Sequence, residues 1–235
     1  MSKIRKNYRY YDLVMAAFVT VLITANIIGP AKISQLDLPL IGTITFGAGV
    51  LFFPISFIFG DILTEVYGYS ASRRVIWTGF AGLAFASFMA WMIVALPPAP
   101  FWDNQEVYEI AFGSAWRVAL AGLIAFAVGE FVNSWVMAKM KIWTEGKFLW
   151  LRTISSTIAG EGVDSIIFYP LAFYNSGVIP NDKIWLVVVA QFFAKTLVEV
   201  AFTPFIYKII NFLKTKEGID HYDHRTNFNP FTWKL

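Results

Sequence analysis

Six apolar runs, each about 20 residues long, fill most of the 235-residue chain and leave it few ways to fold. Runs of that length match the ~30 Å hydrocarbon core of a bilayer at 1.5 Å of helical rise per residue. The chain is 57% hydrophobic and 15% charged, whereas a soluble domain carries about 25% charge. It therefore reads as an all-α membrane protein with six transmembrane helices. The spans lie at about 12–31, 45–66, 75–96, 115–137, 153–174 and 184–211. Residues 1–213 make one compact bundle, and 214–235 form a polar tail expected to be only partly ordered.

The first run follows Lys3, Arg5, Lys6 and Arg9, as the core of a signal peptide would. No small-x-small cleavage site closes it, so a retained first span is expected. A short loop with Lys32 and Asp37 follows. Between spans 2 and 3, Gly68 to Arg74 reads as a tight basic turn. Span 3 stops at Pro97-Pro98-Ala-Pro100, and Phe101–Gly113 mixes Trp102, Tyr108 and Phe112 with Asp103, Glu106 and Glu109. That mixture suits a short helix in the headgroup layer. Lys139, Lys141, Lys147 and Arg152 are read as a basic loop between spans 4 and 5.

The positive residues set the orientation. With both termini cytoplasmic, fifteen of the 19 Lys and Arg fall on the inner side, three (Lys32, Arg117, Lys183) fall outside, and Lys195 lies within span 6. Cytoplasmic loops carry such an excess. Three spans cross an odd number of times, so any repeat of spans 1–3 in spans 4–6 is inverted. Asn26-x4-Ala31-Lys32 matches Asn133-x4-Ala138-Lys139, and Gly60-Asp61 matches Gly160-Glu161. Both are short matches of the kind a 3+3 inverted repeat leaves in secondary transporters, whose sites lie near the midplane.

The spans are not uniformly apolar. Span 5 reads T-I-S-S-T-I-A-G-E-G-V-D-S-I-I-F-Y-P, with Glu161 and Asp164 near its middle. A carboxylate there costs roughly 2.5–3.5 kcal/mol. Asn26, Asp61, Glu65, Glu130, Asn133, Gln191, Lys195 and Glu199 are also placed within spans. Six ionised carboxylates facing lipid would cost ~15–20 kcal/mol, more than most domains' entire stability, so most must face inward. Spacing agrees: Asp61 and Glu65 are i,i+4, Glu161 and Asp164 are i,i+3, and Gln191, Lys195 and Glu199 share one stripe.

These ten residues are the candidate substrate-binding set, and each has a plainer reading. Glu65 lies near the end of span 2, in reach of Arg73 and Arg74, where an interfacial ion pair serves as well as a binding role. Glu130 suits a site or packing. Asn26 and Asn133 suit interhelical hydrogen bonds. For the deepest set, Glu161, Asp164, Gln191 and Lys195, a functional site is the default, and a Lys195–carboxylate pair closing the core is the alternative. Gly60-x3-Thr64-x3-Gly68 and Ser156-x3-Gly160 read as close-packing faces. Pro54, Pro170 and Pro204 interrupt spans 2, 5 and 6 and free carbonyls.

The absence of cysteine excludes disulfides and Cys-based metal sites. No phosphate-binding loop, zinc motif or nucleophile elbow is present, and His221 and His224 lie in the tail, so no cofactor or metal is expected. A net charge of +3 does not point to nucleic acid. Six carboxylates against one Lys favour a cargo rich in N–H donors, a cationic amine, or protons. Lipid is the other expected partner, and both a single subunit and a homodimer are compatible with the sequence.

G-D-I-L-T-E-V-Y-G-Y (60–69) with Arg73-Arg74 resembles the signature of the queuosine precursor transporter family, also called the vitamin uptake transporter family. G-E-F-V-N-S (129–134) with A-K-M-K (138–141) is similar to it too. So are T-E-G-K-F-L-W-L-R-T-I-S-S-T (144–157) with G-E-G-V-D-S (160–165), and the tail's F-N-P-F (228–231). The resemblance covers most of the chain and is weakest in the first span. It implies an importer of 7-cyano-7-deazaguanine, 7-aminomethyl-7-deazaguanine or queuine in a bacterial or archaeal inner membrane. Glu161, Asp164 or Glu199 would then accept from N1–H and the exocyclic amine, and Lys195 or Gln191 would donate to O6. The rival readings are the substrate-binding subunit of an energy-coupling-factor importer, an intramembrane carboxylate enzyme, and a structural protein whose charges merely pair.

Overall fold

The computed structural model describes residues 8–28, 33–38, 42–47, 49, 52–113, 116–177 and 179–232. The helices are α1 (Tyr11–Ile28), α2 (Phe53–Tyr67), α3 (Tyr69–Val94), α4 (Gln105–Phe112), α5 (Trp116–Trp143), α6 (Leu149–Phe173) and α7 (Ile184–Glu217). An antiparallel hairpin, β1 (Ile33–Leu38) and β2 (Gly42–Gly47), stands between α1 and α2.

Among the described residues, four helical stretches are long and apolar enough to cross a membrane: α1, α3, the stretch containing α5, and the one containing α7. Their outward faces carry Phe85, Phe88, Trp91, Leu186, Phe193 and Leu197, the kind of surface that lipid covers. α2 and α6 instead turn polar residues inward. α2 has only 15 residues, and every residue from Gly60 to Tyr67 is buried. On α6, Thr153, Ser156, Thr157, Gly160, Glu161, Asp164 and Ser165 form one buried polar stripe, while Ile158 and Ile166 face outward.

Several boundaries differ from the sequence reading. The expected second span began at 45, but residues 42–47 are a strand. Gly-Thr-Ile-Thr-Phe-Gly alternates with period two and is rich in β-branched residues, a signal that hydropathy alone absorbs into the span. Pro54 therefore lies in the first turn of α2, where proline is tolerated, and does not break a helix interior. Pro170 and Pro204 do lie inside α6 and α7. The basic turn shrinks to Gly68 alone, with Arg73 and Arg74 already on α3. Lys139 and Lys141 belong to α5 and Arg152 to α6, not to a loop. Lys32 and the 29–31 end of the first span fall outside the described residues.

Both ends of the described chain meet at one end of the bundle. The Glu217 carboxylate, at the end of α7, accepts the backbone N–H groups of Arg9 and Tyr10 at 2.9 and 2.6 Å and the Tyr67 hydroxyl at 3.0 Å. It thereby satisfies orphan donors at the N-terminus of α1, where a negative charge also suits the helix dipole. Within the bundle, Gly129 of α5 and Gly160 of α6 lie back to back. A Cβ on Gly129 would come 2.9 Å from the Gly160 carbonyl, and one on Gly160 would come 2.9 Å from the Gly129 carbonyl. A hydroxyl relay, Thr64 to Ser134 at 3.0 Å and Ser134 to Ser72 at 2.9 Å, joins α2, α5 and α3.

The tail, expected to be partly ordered, is instead docked through residue 232. The buried Asp223 carboxylate accepts the Tyr69 N–H at the start of α3 (3.0 Å) and the Thr226 hydroxyl (2.6 Å). Arg73 donates to the carbonyls of Asn227 and Asn229, Trp77 to that of Pro230, and Tyr69 to that of Phe228. Polar composition misled here because the tail is held by its backbone carbonyls, which composition does not register. Burial raises the Asp223 carboxyl, but His221, Thr226 and the Tyr69 N–H outweigh it and hold the group below its ordinary 3.8. Its contribution is therefore complete at neutral pH and is lost only as pH falls through that depressed value. Gly68 has φ of +86°, and a Cβ there would lie 2.1 Å from the His221 ring. We predict that Asp223→Ala weakens tail docking by roughly 1–2 kcal/mol and that Gly68→Ala does so more severely. Limited proteolysis between residues 218 and 232 will be faster in both at pH 7.

Candidate functional site

The buried charges separate into two groups along α6. At the Lys- and Arg-rich end, Glu65 of α2 is completely engaged. Arg152 of α6 grips it with Nε and Nη2, each at 2.8 Å, and Lys214 of α7 reaches Oε1 at 2.6 Å. Lys141 of α5 donates to the Glu65 carbonyl at 2.6 Å and lies 3.3 Å from its carboxylate. Lys141 and Lys214 both also reach Asp220, at 2.6 and 2.7 Å. Arg73 and Arg74, the partners expected for Glu65, are elsewhere: Arg73 holds the tail and Arg74 is exposed. The network ties four helices and the tail together and leaves Glu65 no open side.

One turn further along α6 begins a different environment. Asp61, Glu130, Asn133, Glu161, Asp164, Lys195 and Glu199 are all buried and gather between α2, α5, α6 and α7. Lys195 is the cation among them. Its ammonium lies 2.6 Å from Asp164 Oδ2, 2.9 Å from Glu161 Oε2 and 4.4 Å from the centre of the Phe53 ring. Asp61 Oδ1 accepts from Asn133 Nδ2 at 2.9 Å and from Ser156 Oγ at 3.0 Å, and Glu199 accepts from the Thr157 hydroxyl. Glu130 lies against the α2 backbone, where a Cβ on Gly60 would overlap it. Both Glu130 oxygens, Asp61 Oδ2, Asn133 Oδ1, Glu161 Oε1 and Glu199 Oε2 are buried without a hydrogen-bond donor among the described residues.

Of the ten candidate residues, seven thus come together. Glu65 stands in the ion network instead. Gln191 is partly buried one turn before Lys195 on α7. Asn26 donates to its own helix at the Leu22 carbonyl (2.8 Å) and lines a cavity of about 520 Å³ at the opposite end of the bundle. Trp91, Phe112, Gly122 and Phe168 also line that cavity, and Phe168 follows Asp164 by one turn of α6. Sequence reasoning missed Thr157 and Phe53 and treated Ser156 as packing only. The i,i+3/i+4 run of hydroxyls leading to Glu161 is the signal that would have found Ser156 and Thr157.

Residues 47–209 match the family model described as "Putative vitamin uptake transporter". The chain belongs to that family. The transporter is 29% identical over 196 residues to the "Probable queuosine precursor transporter" of Bacillus subtilis (strain 168), covering 83% of this chain and 81% of the relative. It is 23% identical over 163 residues to the "Queuosine precursor transporter" of Escherichia coli (strain K12), covering 69% and 71%. It also matches the "Probable queuosine precursor transporter" of Haemophilus influenzae (Rd), 22% identical over 128 residues, with 54% and 52% covered. No solved structure matches it. Membership of a transporter family, with several helices fit to cross a membrane, makes it a multi-pass membrane transporter and not an enzyme.

Removing Glu65 from the transporter would leave buried Arg152 without a carboxylate, a change that typically costs about 3–5 kcal/mol. We predict that Glu65→Ala lowers the thermal midpoint in detergent strongly, whereas Arg74→Ala, at an exposed site, shifts stability by under about 0.5 kcal/mol. Comparable midpoints for the two variants would contradict the network's role.

Proposed function

We propose that this transporter imports queuosine precursors, 7-deazaguanines such as the 7-cyano and 7-aminomethyl bases or queuine, across the inner membrane of a bacterium or archaeon. The observation that carries the reading is the buried Glu161–Lys195–Asp164 triad between α6 and α7, where two carboxylates share one ammonium and Glu161 Oε1 has no donor among the described residues. A 7-deazaguanine presents N1–H and an exocyclic amine side by side, a pair that a carboxylate accepts bidentately. Glu161 and Asp164 are the acceptors in this reading, and Lys195, relinquishing one of its two partners, or Gln191 donates to O6. Phe53 supplies an aromatic face beside the same ammonium. The names of the relatives point to the same cargo.

In this reading six helices cross the membrane, with α2 and α6 as the inner pair and both termini in the cytoplasm. The shared position of Arg9 and Glu217 and the Lys- and Arg-rich character of that end support this orientation. Gly60-Asp61 and Gly160-Glu161 both lie at the central cluster, each glycine against α5, which supports an inverted 3+3 repeat. The Glu65 network then closes the cytoplasmic side, and the cavity beside Asn26 opens toward the outside.

The test is uptake of labelled 7-cyano-7-deazaguanine by cells unable to make it. Glu161→Gln and Asp164→Asn are expected to cut uptake at least tenfold with normal membrane insertion. Uptake at the wild-type level in both variants would overturn the assignment. Co-purification of ATPase subunits would instead favour an energy-coupling-factor subunit.

A further inference from the structure

Along α6 the central cluster divides into two parts with different chemistry. Glu161 and Asp164 share the Lys195 ammonium. One turn toward the Lys- and Arg-rich end, Asp61 and Glu199 meet neutral donors only: Asn133, Ser156 and Thr157. The two carboxyls are held by consecutive residues of α6, and both are buried. Asp61 Oδ2 and Glu199 Oε2 have no donor from any other described residue, and neither has Glu130 across α5. The charged and titratable groups facing the pair are all committed or acidic. Lys195 is held by Asp164 and Glu161, Arg152 is held by Glu65, and Glu130 and Glu161 add only further carboxyls.

Buried carboxyls gathered this way with neutral donors and no cation of their own cannot all ionise and need a proton. A nucleobase is poorly placed to supply it, because hydroxyl and amide donors from α5 and α6 already occupy one oxygen of each. We infer that the Asp61–Glu199 pair, with Glu130 beside it, is a proton site separate from the Lys195 triad, and that import is coupled to a proton carried there. This rests on the transport reading above. One proton is taken up when the cluster faces the outside and given up when it faces the cytoplasm, so the cluster returns to its starting charge each cycle. The carboxyl pair stands between the triad and the Glu65 network, in the path a proton would take inward after cargo has bound.

The experiment uses the full chain in proteoliposomes with potential clamped and 7-cyano-7-deazaguanine, which is uncharged, as the probe. An inward gradient of one pH unit is expected to support about tenfold accumulation for one proton per base. Adding the base should acidify the lumen, as read by an entrapped dye. In Asp61→Asn and Glu199→Gln, the ratio of gradient-driven uptake to base-for-base exchange should fall to about one. Wild-type uptake that merely equilibrates, or that follows a sodium gradient instead, overturns the proton coupling while leaving the cargo intact. Variants that lose exchange along with driven uptake overturn the site, because their carboxyls then bind the base. Folded wild-type protein that moves no base at all overturns the transport reading itself.

Discussion

A buried carboxylate in an apolar bundle must be given a cation, a donor or a proton, and most of this molecule's internal architecture follows from how each one is served. Desolvating a single ion costs several kcal/mol even after relaxation. Glu65 is served by Arg152, Lys141 and Lys214, Asp164 and Glu161 by Lys195, and Asp61 by an amide and a hydroxyl. These bonds cross between helices, so they fix which helices are neighbours. Apolar packing between helices sets no such direction, since lipid is as good a partner for a leucine as another helix is.

Viewed along α6, the result is an ordered series: Arg152 in an ion network, Ser156 and Thr157 against carboxyls, Glu161 and Asp164 against an ammonium, and Phe168 at a cavity. Each step is about one turn, or ~5.4 Å. The near contact of Gly129 and Gly160 brings α5 close enough for Glu130 and Asn133 to belong to the same series. Side chains at both positions would push the two backbones apart and dissolve the alignment.

The spacing of carboxylates within the spans was enough to locate the central cluster, because i,i+3 and i,i+4 positions share a face whatever the tertiary fold. It was not enough to separate Glu65 from the rest. That separation depends on Arg152, Lys141 and Lys214, which come from three different helices and are remote in sequence. Hydropathy located the four helical stretches fit to cross a membrane but concealed the β1–β2 hairpin, where Thr and Ile satisfy a membrane scale and a strand alternation equally well. It also hid the docking of the tail, whose bonds run from Arg73, Trp77 and Tyr69 to backbone carbonyls. Asn26 and Asn133 occupy matching sequence contexts yet take different roles, one bonded to its own helix and the other to Asp61.

The Glu217 carboxylate joins the last helix to the first, which has a consequence for assembly. Chains are made and inserted from the N-terminus onward, so α1 enters the membrane with its leading amide groups unserved by protein. They wait until nearly the whole chain has been synthesised. A nascent chain stopped anywhere before the end of α7 therefore lacks the carboxylate that clasps the start of α1.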